Sequence, residues 1–140
     1  MKPQLFALLA AAAWGFGGYF EKKGLHLGNL PPQLGITIRT AVALMVLGFV
    51  SAPQWKMVTQ ASPKALAYMI IGGGVVAGSI GMLCFYTALK GAPLSKVMPI
   101  AFTSPLFGAV LAMTLGGEPV TIKTIAGMVM TIGGIILLTV

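Results

Sequence analysis

The chain contains no aspartate and only two carboxylates in 140 residues, Glu21 and Glu118. Any cation placed among its apolar segments therefore has few partners to choose from. One cysteine, Cys84, excludes an internal disulfide, and its place in an apolar run predicts a buried, inert thiol. One histidine, His26, stands without a Cys/His cluster, so no metal site is expected. No glycine-loop lysine motif is present, which removes a nucleotide-driven engine, and no cofactor is implied. Charged residues make up 8%, against roughly 25% in soluble domains. No stretch is long or polar enough for a soluble domain, so an enzyme with an aqueous site is not expected.

What the chain has instead is apolar length. Hydrophobic residues reach 57%, gathered into five runs: Pro3–Phe20, Gln33–Val50, Ala65–Leu89, Val97–Leu115 and Thr124–Val140. Each holds 17–25 residues, the length an α-helix needs to cross a hydrocarbon core of roughly 30 Å. Residues 1–140 thus read as one all-α integral membrane unit of five spans whose solvent is the lipid bilayer. Prolines at 31, 32, 53, 63, 93 and 119 mark the boundaries, since proline stops one helix and suits the first turn of the next. Trp55 reads as an interfacial anchor. Lys2 and Leu5–Ala13 imitate a signal peptide, but the run continues through Trp14, Phe16, Tyr19 and Phe20, which is poor cleavage chemistry. The first run is expected to be a retained span.

The formal charge of +7 comes from lysines set singly or in pairs between apolar runs. No basic stripe with interleaved aromatics exists, so interfacial lysine is the reading and nucleic acid is not a partner. Lys2, Lys56, Lys64 and Lys123 fall at one face; Lys22, Lys23, Lys90 and Lys96 fall at the other. Short loops are where positive charge normally fixes orientation, and here the split is even. The expectation is dual topology. Arg39, counted with either set, would restore a slight bias.

The third run carries two patterns. On α-helical winding of about 100° per residue, Gly74, Gly78, Gly81 and Phe85 share one face, a packing seam for a neighbouring helix or a second copy. Tyr68, Gly72, Ser79 and Tyr86 share another, suited to lining a cavity or to hydrogen bonding between helices.

Arg39 is the one ionisable residue well inside a run, roughly 10 Å along its helix. Such a residue faces a cavity or partner, or reaches back to the headgroups. Glu21 closes the first run on the side from which Arg39 enters, so the two can meet. Trp14 lies on the same face as Glu21. Glu21 is the candidate for any proton coupling; its alternative is an interfacial pairing with Lys22 or Lys23. Glu118 precedes Pro119, where a carboxylate complements the helix dipole. The fourth run is interrupted by Pro99 and Pro105, with Thr103 and Ser104 beside the break to re-satisfy freed carbonyls. A broken span near the midplane points to a substrate site in transporters.

Taken in order, Trp14-Gly15, Glu21-Lys22-Lys23-Gly24-Leu25 and Arg39 resemble the opening of an EamA-type unit of the drug/metabolite transporter superfamily. Phe85-Tyr86-Thr87-Ala88-Leu89-Lys90, Ser95–Pro99, Ser104-Pro105, Gly117-Glu118-Pro119 and the glycines 127, 133 and 134 are similar to its later part. The resemblance implies half of an inverted-repeat ten-helix transporter in the inner membrane, moving small metabolites or drugs by alternating access. It implies an antiparallel homodimer, or a heterodimer with a related unit. Small multidrug transporters place an essential glutamate deep in the first span; here that depth holds Trp14-Gly15. The path is expected to be lined or shaped by Trp14, Glu21, Arg39, Ser79, Tyr86, Pro99, Thr103, Ser104 and Pro105. The alternatives are a non-transporting membrane subunit and a lipid-linked carrier component.

Overall fold

The structure is a computed structural model that describes residues 3–116, 119 and 121–139. Lys2 and Glu118 lie outside the described residues, and so does the dipole role expected of Glu118. The described chain is helical from end to end, with helices α1 (Pro3–Leu27), α2 (Pro32–Ser51), α3 (Pro63–Ala67), α4 (Met82–Gly91), α5 (Leu94–Ala101), α6 (Ser104–Thr114) and α7 (Ile122–Thr139). A 3₁₀ segment covers Ala52–Gln60 and a π-helical segment Tyr68–Gly81. Among the described residues, three helical stretches are long and apolar enough to cross a membrane: Pro32–Gln60, Pro63–Gly91 and Leu94–Thr114. A shorter apolar helix runs Ile122–Leu138. The chain forms two compact units, one of residues 1–18 with 92–140 and one of residues 19–91.

In the second unit, α1 continues past Phe20, where a loop was expected, and ends only at Leu27. Glu21-Lys22-Lys23 favours helix, and the stop comes from a Schellman cap. Asn29 takes the left-handed conformation at φ 45°. The Leu30 amide donates to the Leu25 carbonyl (3.0 Å) and the Asn29 amide to that of His26 (3.2 Å). Leu30 and Leu25 stand at the two positions that make the apolar contact of this motif. The consequence is positional: Glu21 becomes a helical residue with Leu25 one turn beyond it.

Two lysines then cross-tie helix ends. Lys22 Nζ donates to the Leu89 carbonyl (2.7 Å), in the last turn of α4. Lys90 Nζ donates to the Leu30 carbonyl (2.6 Å) and to Asn29 Oδ1 (3.3 Å), just past the end of α1. Cations at helix C-termini satisfy orphan carbonyls and oppose the negative end of the dipole. The three residues buried in this unit, Leu25, Tyr86 and Leu89, gather around these ties. Replacing Lys90 with methionine keeps the stem but removes two donors, so it should cost about 1 kcal/mol. Hydrogen exchange at Asn29 and Leu30 should rise in that variant, with α2 unchanged.

The π segment corrects the reading of the third run. An i→i+5 ladder turns more slowly than the α-helix on which the two faces were drawn. The Ser79 hydroxyl donates to the Gly74 carbonyl five residues back (3.0 Å), as that winding requires. A Cβ placed on Gly74, Gly78 or Gly81 would meet, among the described residues, only carbonyl groups of their own segment. Within the second unit, no neighbouring helix comes within 4 Å of those positions. Cys84 is exposed on α4, not buried as expected; an apolar position in a unit with so little core is a surface position.

The first unit shows how the proline-bearing run is broken. α5 contains Pro99 and ends at Ala101; α6 begins at Ser104 with Pro105 in its first turn. Pro105 therefore leaves no internal carbonyl orphaned, because it starts a helix rather than interrupting one. Thr103 Oγ1 donates to the Ile100 carbonyl (2.8 Å), which also accepts the Thr103 amide (3.1 Å), so the hydroxyl serves the turn between the helices rather than a carbonyl freed by proline. Val97 and Gly18 are buried in this unit.

Candidate functional site

Three ionisable groups of the second unit, Glu21, Arg39 and Tyr86, converge on one place. Arg39 Nε lies 2.9 Å from Glu21 Oε1, joining α2 to the end of α1. Tyr86, brought in by α4, lines the same cavity wall as the carboxylate. Tyr86 is 2% exposed, whereas the side chains of Glu21 and Arg39 are 22% and 41% exposed. The three groups border a half-open cavity of about 270 Å³, with Phe20, Gly24, Leu25, Leu30, Gly35 and Ile38 completing the wall. Apolar walls with a few convergent polar groups are the ordinary makeup of a small-molecule site.

Helical spacing explains why these residues meet. Glu21, Gly24 and Leu25 stand at i, i+3 and i+4 on α1, and so do Gly35, Ile38 and Arg39 on α2. Two matching faces thus approach, each pairing a charge with a glycine. Gly35 permits the approach: a Cβ there would lie 2.6 Å from Leu25 Cδ2 and 3.1 Å from Tyr86 Cδ1 and Cε1. Gly35, Gly24, Leu25 and Ile38 were absent from the sequence-based set. The i, i+3, i+4 spacing to each charged residue was the signal that could have found them.

Of the other six expected path residues, five belong to the first unit. Trp14 stacks on Phe102 in the first unit, with ring centroids 6.1 Å apart. Pro99, Thr103, Ser104 and Pro105 also belong to that unit, where Met98 Sδ would stand 3.1 Å from a Cβ on Gly18. Ser79 uses its hydroxyl within its own segment. Of the nine path residues expected, the structure brings together Glu21, Arg39 and Tyr86. No group of three or more metal-ligating side chains occurs among the described residues.

An uncharacterized transporter of Bacillus subtilis, YvbV, is 30% identical over 95% of the chain, which spans only 43% of that protein. The uncharacterized protein MJ1333.1 of Methanocaldococcus jannaschii is 27% identical, covering 97% of this chain and 95% of its own. An uncharacterized transporter encoded in the cobO 3′ region of a Sinorhizobium species is 25% identical over 98% of this chain and 96% of its own. No solved structure matches. The model of the EamA-like transporter family matches residues 1–140, and the chain is therefore a multi-pass membrane protein of the EamA-like transporter family.

Proposed function

We propose that this chain is a five-span half-transporter that moves small molecules by alternating access. Two copies, or this chain and a related one, would associate antiparallel as a ten-helix assembly in the cytoplasmic membrane. α1 and α7 act as spans beside the three long apolar stretches. The observation that carries the reading is the Glu21–Arg39 pair at the wall of a cavity in an otherwise apolar unit. Ionisable groups at membrane depth are costly and are kept for paths and relays.

Two further observations support it. Relatives of nearly the same length exist, and so does a transporter of which this chain spans 43%, as a half would. Large side chains such as Phe49 on α2 and Leu137 on α7 are each 85% exposed, leaving apolar surface for both lipid and a second unit.

Reconstitution tests the reading. Vesicles loaded with a metabolite extract should release a defined subset of small molecules when they contain the protein; release matching empty vesicles would overturn it. Reporters fused in turn to each terminus should show both orientations in cells. A single orientation would replace the homodimer with a heterodimer.

A further inference from the structure

We infer that the Glu21–Arg39–Tyr86 cavity selects a small monocarboxylate with an apolar body, whose carboxylate takes over the Arg39 guanidinium from Glu21. The inference rests on the transport reading for its biological use, but its chemistry follows from the site alone.

The accessible charge in the cavity is the positive one. Glu21 is held by Arg39, and its side chain is about half as exposed as that of Arg39. Arg39 meets Glu21 through Nε, on the side edge of the guanidinium. An arginine carries five N–H donors in a planar fork, so an incoming carboxylate can engage the open donors first and then displace Glu21 from Nε. A planar carboxylate matches that fork with two parallel hydrogen bonds.

The wider field points the same way. Within residues 19–91 the charged side chains are Lys22, Lys23, Arg39, Lys56, Lys64 and Lys90 against Glu21 alone, so six positive and one negative leave +5. A cationic ligand would enter against that field, while an anionic one is drawn by it. The walls set the remainder of the molecule. Phe20, Leu25, Leu30 and Ile38 offer apolar surface, and about 270 Å³ lies at the small end of ligand cavities, which run from roughly 300 Å³ upward. A doubly charged phosphate would bring a second charge that these walls cannot solvate.

Because the ligand competes with Glu21 for one guanidinium, the two carboxylates have opposite mutational signatures. In calorimetry on the purified full chain, hexanoate should bind while hexanamide and hexylamine do not. Arg39→Lys, which keeps the charge but loses the fork, should weaken hexanoate about tenfold. Glu21→Gln, which removes the competitor, should tighten it about tenfold. Loss of hexanoate binding in Glu21→Gln, preference for hexylamine, or no binding of hexanoate to the unaltered chain would overturn the inference. The vesicle experiment separates the two ideas. Release of amines or neutral compounds alone keeps transport and discards the carboxylate. Hexanoate binding without any release keeps the site and discards transport.

Discussion

Replacement of Arg39 by alanine is expected to abolish transport while leaving the chain inserted and helical. The two halves of that expectation rest on different quantities. Arg39 is 41% exposed and Glu21 22%, so their 2.9 Å pair is not a desolvated core interaction. A pair that open contributes on the order of 1 kcal/mol or less to stability. Helicity by circular dichroism and the yield of inserted protein should therefore change little. Transport should fall to the level of empty vesicles, because the cavity loses the one cation that its lining supplies. Release of solutes at the unaltered rate would remove Arg39 from the path. A double-mutant cycle with Glu21→Gln would then report how strongly the two side chains act as one group.

Valine at position 35 is expected to be the most destabilising single change in the second unit. A Cβ on Gly35 already falls 2.6 Å from Leu25 Cδ2 and 3.1 Å from the Tyr86 ring. Both neighbours are 2% exposed, so neither side chain has space to retreat. Overpacking of this kind costs about 1–3 kcal/mol, and valine adds two methyl groups beyond the first clash. Alanine should be milder, since its better helix propensity returns up to about 1 kcal/mol. Gly48 supplies the control on the same helix: a Cβ there meets nothing within 4 Å. Gly48→Ala should leave thermal unfolding in detergent unchanged or raise its midpoint, while Gly35→Val lowers it. Equal effects at the two positions would mean that the close approach of α2 to Tyr86 is not a constraint.

The Arg39–Glu21 pair was legible in the sequence because scarcity made it so. With one arginine and one carboxylate at the same end of neighbouring helices, few other pairings existed. The helical runs were legible for a similar reason, since apolar length is read from composition alone. Gly35 was not legible. Its importance depends on a tyrosine 51 positions later in the chain, and no local pattern announces which glycine faces which ring. The winding of Tyr68–Gly81 was hidden as well, because assigning faces requires a period and the α-helical one was assumed. Lys22 and Lys90 looked like two of four interfacial charges. Their use as caps on each other's helix ends appears only when α1 and α4 are seen to finish side by side.

Those two caps also decide how the second unit would come apart under load. The ties of Lys22 and Lys90, the cap at Asn29 and the buried trio Leu25, Tyr86 and Leu89 sit where α1 and α4 finish. The stretch 52–67 holds no buried residue. A pulling force applied to this unit would peel the stretch 52–67 first and at low tension. Rupture of the lysine-tied end would come last, as a single brittle step, and mechanical resistance would be set by two hydrogen-bonded cations rather than by the length of the helices.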